Sequence, residues 1–174
     1  GKKVAIKAVL PGKKTTSIEL EARFLKKLNK CGFVPKLLRS TSEFLIAEFV
    51  EGVFLKDFVL KANKKQLKWL LKEVFRQCFV LDNFGINKEE MHHPLKHVLI
   101  QAKKVMMIDF ERCRHSLQPK NVTQFCQFIA NNSEMLNKKG FNLNRSEIMF
   151  HAKEYKENPS NKTFNAIVAL LENG

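Results

Sequence analysis

The sequence predicts an α+β fold of two lobes, a small strand-rich lobe followed by a compact helical one. The first part of the chain holds short apolar runs with strand-like alternation, whereas apolar residues recur at helical spacing after about residue 65. A chain of 174 residues that is 44% hydrophobic can bury one sizeable core, or two small lobes that share a cleft. We place residues 1–51 in the first lobe and residues 52–174 in the second.

The first predicted element is a strand from Val4 to Leu10, which ends at Pro11-Gly12. Its residues are apolar on both faces, a pattern typical of strands that are covered on both sides. Lys7 is the exception, because it stands among these apolar neighbours. This placement sets Lys7 apart from the other lysines of the chain.

A helix is predicted next, with a capping-box start at Thr16 and Glu19 and an end at Cys31-Gly32. The apolar residues that share one face of this helix are Ile18, Leu20, Phe24, Leu25 and Leu28. Glu21 falls near the middle of that face, whereas Glu19 points away from it. An unpaired carboxylate on a buried face costs several kcal/mol, so Glu21 needs a cation. We predict an ion pair with Lys7 in the cleft, with the charged groups within about 4 Å.

The later elements follow from the same periodicities. They are strands around 36–39 and 44–50, a core helix over about 65–81, and helices around 122–129, 148–155 and 164–171. Two short apolar runs, Val98 to Ile100 and Val105 to Ile108, predict a β-hairpin near 98–108. Asp109 comes immediately after the second strand of this hairpin, where acidic residues commonly face a ligand.

The formal net charge of +14 should attract polyanions, whether phosphates, nucleic acid or ribonucleoprotein. Lysines are scattered along the chain, so a generally solvated basic surface is an alternative to a nucleic-acid-binding surface. No apolar run is long enough to span a membrane, and we see no signal peptide. We therefore expect a cytoplasmic protein with no membrane partner.

The cysteines and histidines give weaker indications. The four cysteines are far apart with no CxxC pair, which favours buried reduced thiols. His92, His93 and His97 form a cluster that could hold a metal ion, but no cysteine or H-E-x-x-H frame accompanies it. A solvated or hydrogen-bonded loop is the alternative interpretation of this cluster.

Lys7, Glu21 and Asp109 follow one another in the order of the residue types that hold a nucleoside triphosphate, so we expect a nucleotide site. A lysine in a strand binds phosphate oxygens, a carboxylate on the next helix fixes the lysine, and an aspartate holds Mg²⁺ against the phosphates. The alternative for Lys7 and Glu21 is a structural ion pair without a ligand. For Asp109 it is a turn or helix-cap aspartate after a strand.

The surrounding motifs extend this pattern. Val4-Ala5-Ile6-Lys7 reads V-A-I-K, and Glu21–Leu25 carries the paired glutamate. Phe44–Gly52 resembles the fifth strand and hinge of the protein-kinase superfamily. Leu81–Ile86 is similar to that family's approach to the catalytic loop, and Ile108–Glu111 stands where its D-F-G would be. Over roughly residues 2–115 the chain resembles the protein-kinase superfamily. With its compact helical tail it resembles the small atypical serine/threonine kinases of archaea, near the RIO group and the kinase of the tRNA-threonylcarbamoylation complex.

This resemblance implies a two-lobed protein-kinase-like fold with ATP and Mg²⁺ bound between the lobes, and transfer of the γ-phosphate to a serine or threonine of a protein substrate. The residues that it places at the nucleotide are Ala5, Lys7, Glu21, the gatekeeper Ala47, and the backbone of Glu48 and Val50. It places Asp109 at the metal. The family's glycine-rich loop should precede Val4, where this sequence begins at Gly1, and without that loop triphosphate affinity should be weaker.

The catalytic loop departs from the family pattern. Counting back from Val98, His97 takes the place of the magnesium-binding asparagine and His92 that of the catalytic aspartate. Counting forward from Gly85, the aspartate position falls on Glu90, so a two-residue insertion is predicted. We favour Glu90 over His92 as the base, because a carboxylate keeps the usual proton chemistry.

Two further departures concern the segment after Asp109. Glu111 replaces the glycine of D-F-G, which argues against the usual flip of this segment, and no long activation segment or A-P-E follows. The sequence therefore leaves two functions open. One is an ATP-dependent protein kinase, and the other is a pseudokinase-like module that binds RNA or ribonucleoprotein through its basic surface.

Overall fold

The computed structural model describes residues 1, 3–10 and 16–172, and the chain divides into two compact units. Unit 1 comprises Gly1–Lys56 and Leu95–Arg114, and unit 2 comprises Asp57–Pro94 and His115–Gly174. The predicted border near residue 51 lies close to the end of the first segment of unit 1. The hairpin near 98–108, which we placed with the second lobe, lies in unit 1. The division of the chain into one domain of residues 1–51 and another of residues 52–174 stays a prediction.

The helices and strands are numbered here in chain order. They are β1 (Val4–Ala8), α1 (Thr16–Leu28), β2 (Leu37–Ser40), β3 (Phe44–Glu48), β4 (Val53–Phe54), α2 (Leu55–Lys61), α3 (Lys64–Asn83), β5 (Ile86–Asn87), β6 (Val98–Gln101), β7 (Lys104–Met107), β8 (Arg114–His115), α4 (Asn121–Asn131), α5 (Ser133–Lys138), α6 (Arg145–Glu157) and α7 (Asn161–Ala169). A single 3₁₀ turn at Pro94–Lys96 precedes β6.

Strand β3 is the middle strand of an antiparallel sheet in the order β1-β3-β2. Lys7 of β1 lies opposite Leu45 of β3. Although β1 is apolar on both faces, Val4 and Ile6 are 43% and 66% exposed. The face of β1 that carries Val4 and Ile6 is thus open to solvent in the described part of the chain. Its predicted stop at Pro11-Gly12 lies outside the described residues.

Helix α1 has the register that its apolar spacing predicts. Glu21 lies on its buried face, whereas Glu19 is exposed. Thr16 is the first helical residue and not the cap, and the residue before it lies outside the described part of the chain. The helix ends at Leu28, and Gly32 shortly after it has a φ of +74°, which glycine adopts without strain.

Strands β4, β6 and β7 form a second antiparallel sheet in unit 1. The hairpin of β6 and β7 is confirmed, and its turn places Ala102 in the left-handed region with a φ of +51°. Gly52, just before β4, lies against β6: a Cβ built there would be 2.8 Å from the carbonyl oxygen of Ile100. A side chain at position 52 would therefore push β4 away from β6.

The core helices of unit 2 also follow the predicted spacing. Helix α3 begins with a reciprocal capping box between Asn63 and Gln66, which satisfies two free N–H groups of the first turn. Its buried face carries Leu67, Leu70, Leu71, Val74, Phe75, Gln77, Cys78 and Leu81. The rings of Phe75 and Phe125 meet edge to face at 4.6 Å, which joins α3 to α4.

A buried polar network centred on Asp82 anchors the start of α4. The Asp82 carboxylate accepts hydrogen bonds from the backbone N–H groups of Asn121 and Val122 and from the Tyr155 hydroxyl. Burial raises the pKa of Asp82, although these hydrogen bonds oppose the shift. The Asn121 amide also donates to the Ile86 carbonyl oxygen at 2.6 Å. The network therefore fixes the chain around β5, just before the predicted catalytic loop.

Three of the four cysteines, Cys78, Cys113 and Cys126, are buried as expected, and Cys31 is half-buried. In unit 2 burial raises the pKa of the Cys78 and Cys126 thiols, which keeps them protonated at neutral pH. Among the described residues, no helix combines the length and apolar character that a membrane span requires.

Candidate nucleotide site

The ammonium group of Lys7 is the centre of a charged cluster in unit 1. Its Nζ lies 2.7 Å from Oε2 of Glu21, 3.0 Å from Oδ1 of Asp109 and 2.8 Å from Oε2 of Glu111. Burial by itself would lower the pKa of Lys7, but hydrogen bonds to these three carboxylates outweigh burial and raise it well above the usual value. Lys7 is therefore charged at any physiological pH.

Glu21 connects two parts of the cluster. Its side chain is buried, with 5% of the residue exposed, and one carboxylate oxygen accepts from Lys7. The other oxygen accepts from the backbone N–H of Phe110 at 3.1 Å. The predicted ion pair and helix register are both confirmed. Glu21 holds the lysine and also the backbone immediately after Asp109.

Asp109 sits in a constrained backbone conformation. Its φ is +62°, a region that aspartate visits more readily than most residues but still at some cost. The flanking residues hold this geometry: Ile108 N–H donates to the His97 carbonyl oxygen, and Phe110 is fully buried. Nδ1 of His97 lies 3.8 Å from Oδ2 of Asp109. Asp109 and His97, the two residues that the sequence predicted for the metal site, are thus close together.

Sequence reasoning did not place Glu111 in the site. Its carboxylate lies 2.8 Å from Lys7, compared with 2.7 Å for that of Glu21. The signal was present in the sequence, because Glu111 takes the place of a glycine after the Asp-Phe pair. The replacement of glycine indicates a less flexible backbone. It does not indicate that the Glu111 side chain turns back toward β1.

An apolar cavity of about 580 Å³ opens beside this cluster within unit 1. Lys7, Glu21 and Asp109 form its polar end. Its apolar walls include Ala5, Leu25, Leu45, Ala47, Phe54 and Leu99. The segment Glu48–Gly52, which begins at the last residue of β3, forms one rim. The structure therefore brings Ala5, Ala47, Glu48 and Val50 to the same cavity as the charged residues.

The rim segment has one backbone group that is already engaged. The N–H of Glu48, the last residue of β3, donates to the carbonyl oxygen of Lys36, the residue before β2, at 2.9 Å. A ligand at this rim could therefore meet the carbonyl of Glu48 but not its N–H. Ala47, the residue before it, is buried and carries a side chain of only one carbon.

Glu90 and His92 lie in unit 2, in the segment between β5 and the 3₁₀ turn. Glu90 is half-buried, and its backbone forms a tight turn with Lys88 and His93. The side chain of His92 is exposed, and its ring lies 4.4 Å from that of His93. This segment is tied to α4, because Met91 N–H donates to the side-chain oxygen of Gln124.

Comparison with solved structures decides the fold class. The chain aligns with the Cydia pomonella granulovirus kinase PK-1 at a TM-score of 0.61 and 17% sequence identity, covering 98% of this chain and 78% of the viral one. The chain has a protein-kinase-like fold. At this identity the likeness concerns the fold alone, and it confirms the fold predicted from the sequence motifs.

The sequence comparisons give less. No protein-family model matches the chain. An uncharacterized protein of Methanocaldococcus jannaschii is 29% identical over 115 residues, which are 63% of this chain and 98% of that protein. Similarity to this relative does not indicate an activity, so we argue the roles of the site residues from the geometry.

We expect the charged cluster to contribute to the stability of the fold. Lys7→Met should lower the free energy of unfolding by about 2 kcal/mol, because it leaves the buried Glu21 carboxylate without a cation. Lys7→Met combined with Glu21→Gln should recover about half of that loss, since the amide is neutral and still accepts from Phe110.

Urea unfolding of the three proteins measures this effect. The control is Lys3→Met, which removes an exposed lysine 3.6 Å from an exposed Glu51 carboxylate and should change stability by about 0.5 kcal/mol or less. An equal loss in the single and the double variant would contradict the ion-pair account.

Proposed function

We propose that this chain is an ATP-dependent phosphotransferase, a serine/threonine protein kinase, that binds ATP with magnesium in the cavity of unit 1. The observation that carries the proposal is a buried Lys7–Glu21 pair with Asp109 beside it, at the polar end of an apolar cavity in a chain with a protein-kinase-like fold. A purely structural ion pair needs no cavity beside it. An unrelated ligand pocket would not need this combination of charges.

The cavity is suited to ATP in size and in polarity. Its volume of about 580 Å³ lies within the usual range for small-molecule sites. Its apolar walls would cover the adenine ring, with the Glu48 carbonyl and the Val50 backbone at the ring's polar edge. Lys7 would contact the phosphates, and Glu21 would keep Lys7 in place.

The acidic residues around Lys7 are suited to magnesium. Glu21, Asp109 and Glu111 each offer a carboxylate oxygen, and these oxygens lie within 4.8 Å of one another. Magnesium prefers carboxylate oxygen over imidazole nitrogen, so we propose Asp109 as the main ligand and His97 as a residue beside it that positions the carboxylate. Bound magnesium would neutralise the charge of the phosphates.

The closer placement near the RIO kinases and the kinase of the tRNA-threonylcarbamoylation complex is also part of the proposal. Helix α4 starts at Asn121, soon after Asp109, which leaves no room for a long activation segment between them. A protein substrate with serine or threonine comes from the same resemblance, and we also propose the cytoplasm as the site of action.

Glu111 should compete with the phosphates for Lys7. An ammonium group has three N–H donors, and three carboxylates already surround that of Lys7. Glu21 is buried and bound to Phe110, so Glu111 is the carboxylate best placed to leave. Glu111→Gln should therefore raise the affinity for ATP in the presence of EDTA about fivefold, by removing one negative charge.

Calorimetric titration with ATP and EDTA tests this competition. Glu51→Gln is the matched control, because Glu51 lines the same cavity with a carboxylate that is 75% exposed. That variant should bind ATP as the wild type does. If Glu111→Gln bound ATP no better than Glu51→Gln, Glu111 would not be a competitor.

Transfer of radiolabelled γ-phosphate tests the activity itself. The full chain would be incubated with labelled ATP, magnesium and a serine-rich acceptor protein, and Lys7→Met would serve as the inactive reference. Label on the acceptor or on the chain supports the kinase. ATP binding without transfer or hydrolysis would instead favour the pseudokinase-like module.

A further inference from the structure

The solvent face of α3 in unit 2 carries an unusual set of side chains. Four cationic residues share this face, namely Lys65, Lys68, Lys72 and Arg76. Trp69 stands among them and is 37% exposed. The opposite face of α3 supplies the core of the unit, so the exposed part of the Trp69 ring lies outside that core.

These residues line a groove of about 540 Å³ between α3 and α7. Phe164 and Val168 of α7 form its apolar side. The Phe164 ring is held in place, because it stacks on Phe79 with a centroid distance of 4.3 Å and an angle of 17° between the planes. We refer to the groove lined by Lys65, Lys68, Trp69, Lys72, Glu73, Arg76, Phe164 and Val168 as the α3–α7 groove.

Two lysines of the groove already hold an anion. Lys68 and Lys72 each contact a different oxygen of the Glu172 carboxylate, at 2.6 Å and 2.7 Å. Hydrogen bonds from these two lysines lower the pKa of Glu172 to about 2. The arrangement would equally accept two oxygens of one phosphate group. Glu73 accepts hydrogen bonds from Arg76, which lines the same groove, and from Gln77.

We propose that the α3–α7 groove binds single-stranded nucleic acid, with backbone phosphates on Lys68 and Lys72 and a base stacked on Trp69. Cations along a groove together with an exposed aromatic ring are the combination that binds single strands without sequence preference. An acidic peptide would use the lysines but gains nothing from a ring that stacks on bases. Glu172 leaves the lysines when the strand binds. This proposal does not depend on the nucleotide site of unit 1.

The test uses Trp69, the only tryptophan of the chain, as the reporter. Titration of the full chain with a 12-nucleotide oligouridylate should quench its fluorescence. Lys68→Ala with Lys72→Ala should weaken binding at least about tenfold and should make the dependence of log K on log salt less steep by about 0.7 per lysine. Trp69→Ala, followed through anisotropy of a labelled strand, should weaken binding about tenfold.

Two variants sharpen the test. Lys103→Ala with Lys104→Ala removes the same charge from the exposed turn of the hairpin in unit 1, and its affinity should stay within about twofold of the wild type. Glu172→Gln removes the competing carboxylate and should tighten binding about threefold. Circular dichroism and thermal unfolding show whether each variant is folded.

Several outcomes would overturn the proposal. If both lysine pairs weakened binding equally, the attraction would come from the general basic charge and not from this groove. If the labelled strand bound while Trp69 fluorescence stayed constant, the strand would bind elsewhere. If oligoglutamate of matched charge quenched Trp69 as strongly as the oligouridylate, the groove would recognise an acidic protein segment.

Discussion

Asparagine in place of Asp109 is expected to abolish most of the gain in ATP affinity that magnesium provides. The amide keeps the size of the side chain but removes the charge that a hard divalent cation requires. We expect the affinity in the presence of magnesium to fall at least about tenfold, and phosphate transfer to fall about 10³-fold, because charge neutralisation by the metal is worth several kcal/mol. Affinity in EDTA should not fall, because the substitution also removes a negative charge that lies 3.0 Å from the Lys7 ammonium group.

Calorimetry with magnesium and with EDTA separates the two contributions. Asp57→Asn, a change of the same kind at an exposed position in the first turn of α2, is the control and should leave both titrations unchanged. Lys7→Ala should weaken binding in both conditions, since it removes a phosphate contact. Equal losses for Asp109→Asn with and without magnesium would mean that Asp109 does not hold the metal.

Glu90→Gln is expected to lower turnover by a factor on the order of 10² or more, with ATP binding nearly unchanged. In our proposal the Glu90 carboxylate orients the acceptor hydroxyl and takes its proton. His92→Asn should then have little effect. A loose transition state asks little of the base, so residual activity is expected in Glu90→Gln.

Steady-state transfer rates of the two variants, compared with Glu89→Gln, decide the assignment. Glu89 is the neighbouring carboxylate, and it accepts a hydrogen bond from the Asn87 side chain, a bond that glutamine retains. A large loss in His92→Asn with none in Glu90→Gln would move the base to His92. Unchanged turnover in both variants would remove this segment from catalysis.

The parts of the site that the sequence predicted are those set by local periodicity. The 3.6-residue spacing of α1 places Glu21 on the buried face, and the paired apolar runs of β6 and β7 place Asp109 at the end of a hairpin. The order of these elements along the chain then predicted that Lys7, Glu21 and Asp109 meet.

The parts that were missed depend on contacts between distant segments. The exposure of Ile6 depends on what packs on that face of β1 in the fold, which the strand's own residues do not encode. The turn of Glu111 toward Lys7 depends on the left-handed backbone at Asp109. The Asp82 network joins residues of α3, α4 and α6, and its members look like ordinary polar residues in the sequence.

The central claim is that the cavity of unit 1 binds ATP with magnesium through Lys7 and Asp109. Calorimetric titration of the wild-type chain with ATP, in magnesium and in EDTA, tests it most directly. We predict saturable binding of one ATP per chain that is at least about tenfold tighter with magnesium, equivalent to about 1.4 kcal/mol or more. Absence of binding in both conditions, or equal affinity with and without magnesium, would contradict the claim.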